Sequence, residues 1–143
     1  MNATRVVPIL NVSDIAENFA WFAKLGWTVG FQWPPNAEDT GRITFASLES
    51  GECEIFLCRD GQGGRGRGSA DATGGPHGDE TSDEGVWLSI WVDDVDAVYR
   101  HCHAAGLEIT HPPTDEPWGV REMHVRHLDG HVLRISTETV DSH

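Results

Sequence analysis

Between Pro117 and Ser136 the chain alternates apolar and polar positions on both sides of Asp129-Gly130, the strongest short-range hairpin signal. In the first arm Met123 and Val125 fall on one face, and Glu122, His124 and Arg126 on the other. In the second arm Leu133 and Ile135 fall on one face, and Val132, Arg134 and Ser136 on the other. Successive side chains of a strand point to opposite sides. The stretch therefore predicts a hairpin with one core face and one polar face, and Trp118 stands at its entrance. Polar residues gathered on one side point to a binding surface.

The same reading extends along the chain. Arg5–Val12 is a compact apolar run, and Pro8 within it predicts an edge or otherwise irregular strand. Ser13 or Asp14 caps a helix whose buried stripe is Ile15, Phe19 and Phe22, and Gly26 ends it. Trp27–Trp33 is a strand stopped by Pro34-Pro35. Gly41–Glu49 and Cys53–Arg59 are two more strands around Ser50-Gly51. Gly61–Glu84 holds eight of the sixteen glycines and almost nothing apolar, so it reads as a flexible loop. Its Gly-x-Gly spacing is not followed by a helix and is no dinucleotide motif. Val86–Val92 is a strand, and Asp93 or Asp94 caps a helix with Val95, Val98, Cys102 and Ala105 on one face. Leu107–Thr110 is a strand, Pro112-Pro113 begins a loop, and Thr137–His143 is a frayed tail.

Laid together, the halves repeat. Val12–Gly26 and Val92–Gly106 are cap–helix–cap units of equal length, each preceded by one strand and followed by three. Residues 1–60 and 85–143 are therefore two βαβββ modules of one α+β domain, joined by a linker at residues 61–84. Each helix covers one sheet face. The other face must curl around something or pair with its copy.

Composition narrows the function. A net charge of −13, with Lys24 the only lysine, repels phosphate backbones and excludes nucleic acid, while a cationic small molecule is attracted. Solubility alone is the competing account of the acidic charge. No apolar run is long enough to span a membrane, and no signal peptide is expected. Cys53, Cys58 and Cys102, odd in number and without ligand spacing, read as reduced thiols of a cytoplasmic protein.

Three segments carry a family resemblance: Val7-Pro8-Ile9-Leu10 through Leu25-Gly26-Trp27, Trp87-Leu88-Ser89-Ile90-Trp91-Val92 with the helix after it, and Glu116-Pro117-Trp118-Gly119 with Arg121-Glu122 and Asp129-Gly130. Together they resemble the vicinal oxygen chelate superfamily of glyoxalases, ring-cleaving dioxygenases and bleomycin-resistance proteins, and within it the bleomycin-resistance proteins. The resemblance implies curved mixed sheets around a cup-like groove, and a homodimer with grooves at the subunit interface. The superfamily's enzymes hold a divalent metal at positions that fall here on Val7, Glu54, Trp87 and Arg134, with Val7 matched to Trp87 and Glu54 to Arg134. Valine and tryptophan offer no ligand atom, and arginine has no lone pair to donate. No metal, cofactor or catalytic residue is therefore assigned. His101 and His103 do not share a helix face, and His124 and His127 fall on opposite strand faces.

Aromatic rings take the place of the metal. Phe45, Phe56, Trp87 and Trp91 fall on the cup-facing register, Trp33 and Trp118 stand at the rim, and Gly119 leaves room beside Trp118. The hairpin's polar face adds Glu122, His124 and Arg134. Each ring has a core reading beside the binding one. A flat cationic ligand would stack on such rings, with Glu54 and Glu122 holding its tail, although Glu54 could equally pair with Arg134. The expected function is sequestration of a bleomycin-like molecule. The alternatives are a metal-dependent enzyme of the same superfamily, and a domain serving another metabolite or a protein.

Overall fold

The structure, a computed structural model, describes residues 1–37, 40–61 and 85–139. The chain divides into two compact units, Met1–Gly63 and Gly64–His143. The first holds β1 (Ile9–Val12), α1 (Ile15–Leu25), β2 (Thr28–Trp33), β3 (Phe45–Ser50) and β4 (Cys53–Arg59). The second holds β5 (Trp87–Trp91), α2 (Val95–Ala104), β6 (Glu108–Glu116), β7 (Val120–Arg126) and β8 (Val132–Glu138). Each unit is a four-stranded open sheet, ordered β1-β4-β3-β2 and β5-β8-β7-β6. In each, the first strand lies parallel to the last and the remaining pairs are antiparallel. The fold is thus α+β, two βαβββ modules with mixed sheets, as the repeat implies. None of the described helices is long and apolar enough to cross a membrane.

Local chemistry accounts for the helices. Asp14 caps α1 by accepting from the Glu17 N–H at 2.8 Å, and Gly26 closes it at φ +99°, a conformation that favours glycine. Asp94 caps α2 in the same way through the Ala97 N–H at 3.1 Å. The buried stripe of α1 is Ile15, Asn18, Trp21 and Phe22, with Phe19 only half-buried. Asn18 is tolerated inside because its amide donates to the Asp14 carbonyl at 2.7 Å. On the sheets the buried side carries Leu10, Ala46, Leu48, Ile55 and Leu57 in one unit and Met123, Val125, Leu133 and Ile135 in the other. Alternation leaves a second face on each sheet.

Several boundaries differ from the sequence reading. Strand β1 starts at Ile9, because Pro8 cannot donate to the ladder; its carbonyl still accepts from the Phe56 N–H at 2.9 Å. Trp27 lies outside β2 and is buried against Phe22, with ring centroids 6.2 Å apart. A short 3₁₀ turn, Thr40–Arg42, replaces the start of the third expected strand. Strand β6 runs through Pro112-Pro113, where a loop was expected. It is an edge strand bonded only to β7, and its register slips between Ile109 and His111 and again between His111 and Thr114, so the missing N–H groups interrupt no inner ladder. The hairpin is closed by five residues, His127–His131, rather than by a two-residue turn; Gly130, at φ +88°, donates to the His127 carbonyl at 3.0 Å. Thr137 is no tail residue. Its hydroxyl accepts from the Val95 N–H at 2.9 Å and donates to the Val92 carbonyl at 3.1 Å, pinning the start of α2 to β8. Nearly all of the glycine-rich stretch, residues 62–84, and residues 140–143 lie outside the described residues.

Candidate functional site

On the free face of the first sheet three phenylalanines meet. Phe45 and Phe56 pack edge to face at 5.3 Å, Phe31 stacks on Phe45 at 6.0 Å, and Phe31 meets Phe56 at 5.6 Å. Trp33, paired with Phe45 across the ladder, stands beside them. Phe31 was absent from the expected set, although it lies two residues before Trp33 and alternation alone would have included it. Glu54 shares this face and pairs with Arg5, whose guanidinium also lies over the Phe56 ring at 5.9 Å from its centroid. The expected alternative partner, Arg134, belongs to a different cluster.

That cluster occupies the free face of the second sheet and centres on Glu122. One carboxylate oxygen accepts from the Trp118 indole N–H at 3.1 Å and from Arg134 Nη2 at 2.7 Å. The other accepts from Arg134 Nε at 2.9 Å and meets His124 Nε2 at 2.9 Å. Ladder pairing builds the arrangement, since His124 faces Arg134 directly and Glu122 lies two residues away on the same side of β7. The Arg134 fork holds the Glu122 carboxyl far below its ordinary range, at about 2; the His124 and Trp118 donors add to this against the opposing effect of burial. At 4% exposure, with both oxygens engaged, Glu122 has nothing left for a ligand's cationic tail.

Around this centre, His124 meets the Trp87 ring edge-on at 5.1 Å and His111 at 4.8 Å, and His111 Nε2 lies 3.1 Å from a Glu116 oxygen. His111 was missed because its segment reads as a pre-proline loop. Trp91 lies four residues further along β5, on the same side as Trp87. Gly119 adopts φ +86° and turns the chain between β6 and β7, donating to the Glu116 carbonyl at 3.2 Å. A left-handed turn is thus the visible reason for glycine there. His127 and His131 are fully buried and act within the hairpin loop: His127 Nδ1 accepts from the Asp129 N–H and His131 Nδ1 from the Val86 N–H, each at 3.0 Å.

The tryptophans divide cleanly. Trp21 and Trp27, at 6% and 8% exposure, belong to the core, whereas Trp33, Trp87, Trp91 and Trp118 are 61%, 51%, 55% and 61% exposed.

The matched register of the two modules shifts by two residues on their last strands. Counted back from the caps Asp14 and Asp94, Val7 does correspond to Trp87, and Ile9 to Ser89. The ladder partners of Ile9 and Ser89 are Phe56 and Arg134, so Arg134 answers to Phe56 and Glu54 to Val132. Neither register yields a donor set for a divalent metal. Glu122, the buried carboxylate on the free face of the second sheet, is neutralised by a guanidinium, and no three His, Cys, Asp or Glu side chains converge among the described residues.

Comparison with known proteins fits this architecture. Residues 4–135 match the family model of the Glyoxalase/Bleomycin resistance protein/Dioxygenase superfamily. TioX from Micromonospora sp. ML1 superposes with a TM-score of 0.72 at 26% identity, covering 95% of this chain and 99% of that one. A bleomycin resistance determinant encoded on the transposon Tn5 gives 0.64 at 18% identity over 95% and 98% of the two chains. A bleomycin-binding protein solved with bleomycin gives 0.63 at 18% identity over 95% and 99%. No curated protein matches the sequence significantly. With the family match running from before β1 into β8, over the doubled βαβββ order, this chain belongs to the Glyoxalase/Bleomycin resistance protein/Dioxygenase superfamily.

Proposed function

We propose that the protein binds a small, flat, cationic molecule of the bleomycin class and acts by holding it, with no bond in the ligand broken. The observation that carries this reading is the exposure of Trp33, Trp87, Trp91 and Trp118 by half or more, in a chain whose core uses only Trp21 and Trp27. Exposed indoles, three of them on strands and Trp118 in the turn between β6 and β7, offer stacking area and attract cations to their faces. The net charge of −13 favours the approach of a cation. The likeness to a bleomycin-binding protein supports the ligand class. Arg134 seated on Glu122 supports binding over metal chemistry.

Calorimetry with bleomycin at low and high salt tests the proposal. Binding that weakens with salt, and that falls about tenfold to a hundredfold in Trp118→Ala, is expected. No heat of binding with the wild type would overturn it. A metal-dependent enzyme, the competing reading, requires near-stoichiometric zinc, iron, nickel or manganese in untagged protein, which elemental analysis measures. We infer further that the protein works as a homodimer in the cytoplasm. Exposed Ile9, Val29 and Phe31 offer apolar surface for a second copy, and the three cysteines are free thiols. Light scattering that gives the monomer mass at micromolar concentration would remove the dimer.

A further inference from the structure

Two carboxylates face the free sides of the sheets among the binding candidates, and their situations differ. Glu122 is sealed: nearly buried, with every oxygen position engaged by Arg134, Trp118 and His124. Glu54 is held by Arg5. Arg5 precedes the first strand, in a segment where Met1–Val6 are exposed, and its own side chain is 61% exposed against 18% for Glu54. The same guanidinium lies over Phe56, which is braced by Phe31 and Phe45. A carboxylate next to an aromatic face is a complete cation site, combining charge with a ring quadrupole. Here it is filled by a cation from the protein's own N-terminal arm.

We propose that Glu54 and the Phe56 ring form a guanidinium or alkylammonium site on the first sheet, and that Arg5 is its built-in competitor, displaced when a cationic ligand binds. The inference rests on the small-molecule binding proposed above and names the part of the ligand that this sheet takes. A tethered competitor is present at a high effective concentration, so it raises the ligand concentration needed for occupancy without touching the ligand. An ion pair whose guanidinium is mostly exposed and one cation–π contact are weak enough for exchange. Removing Arg5 should therefore strengthen cation binding, the opposite of what removing a contact residue does.

The test titrates agmatine, which carries a guanidinium and an ammonium, into the full chain while NMR follows the Phe56 ring and Glu54 carboxyl signals. Arg5→Ala should lower the dissociation constant about three- to tenfold against wild type. Arg5→Lys, which keeps the competing charge, should stay near wild type. Arg5→Ala with Glu54→Gln should lose the response of the Phe56 ring. Equal affinity in wild type and Arg5→Ala, or weaker affinity in Arg5→Ala, would overturn the proposal. So would a Phe56 response that survives Glu54→Gln. Bleomycin run beside agmatine separates the two ideas. Agmatine responses as expected without bleomycin binding leave this site and remove the proposed ligand. Bleomycin binding with no agmatine response to Arg5→Ala does the reverse.

Discussion

Glu122→Gln is the most informative single change, because it keeps size and removes charge at the centre of the second sheet's network. In the folded protein the carboxyl falls from its ordinary 4.5 to about 2, chiefly through the Arg134 fork. At ~1.36 kcal/mol per decade, that difference is worth about 3 kcal/mol at neutral pH. Arg134 keeps some access to water, so the net loss is set at about 2–3 kcal/mol. Glutamine has one acceptor oxygen for the four donor contacts and brings two N–H donors that face Trp118, Arg134 and His124. The pH dependence follows from the sign of the shift. A carboxyl that binds its proton less readily when folded stabilises the fold above the unfolded-state value of about 4.5, and this stabilisation drains away as pH falls towards 2. Equilibrium urea unfolding of wild type and variant, followed by tryptophan fluorescence, should therefore show a gap of about 2–3 kcal/mol near neutrality. Between about pH 5 and about pH 3 the gap should narrow by about 1–2 kcal/mol. A gap that stays constant over that interval, or one below about 0.5 kcal/mol at neutrality, would refute the network as an electrostatic unit.

Other changes should separate packing from binding. Trp21→Ala, which empties a core position, should cost about 3–5 kcal/mol in urea unfolding, while Trp118→Ala should leave the melting temperature within a few degrees and act on ligand affinity instead. Thr137→Val keeps shape but removes the acceptor for the Val95 N–H and the donor to Val92, and should lower stability by about 1 kcal/mol, read as an earlier thermal midpoint. Gly30→Ala would set a Cβ 2.5 Å from Ser47 Oγ and 2.6 Å from a Glu49 oxygen. Ser47 Oγ already accepts from the Phe31 N–H at 2.9 Å and has little freedom to retreat, so a loss of about 1–3 kcal/mol is expected in the same assay.

The sequence by itself determined the parts of this protein that depend on short-range periodicity. A cap at Ser13 or Asp14 and another at Asp93 or Asp94, the alternation through Met123, Val125, Leu133 and Ile135, and the doubled strand–helix–three-strand order are local patterns, and each survives in the structure, which puts the caps on Asp14 and Asp94. The same alternation placed Trp87 and His124 on one side of the second sheet, where their rings touch. Tertiary structure decided what depends on partners distant in sequence. Pro112-Pro113 became strand because β6 is an edge, and edge position is a property of sheet order. Trp21 and Trp27 went inside while Trp33 and Trp118 stayed out, a choice that hydrophobicity could not make because all four side chains are the same. Charge pairing was decided last of all. Glu122 took Arg134 because the β7–β8 register sets Arg134 opposite His124, two residues along from Glu122, whereas Glu54 took Arg5, which reaches it from the segment before β1.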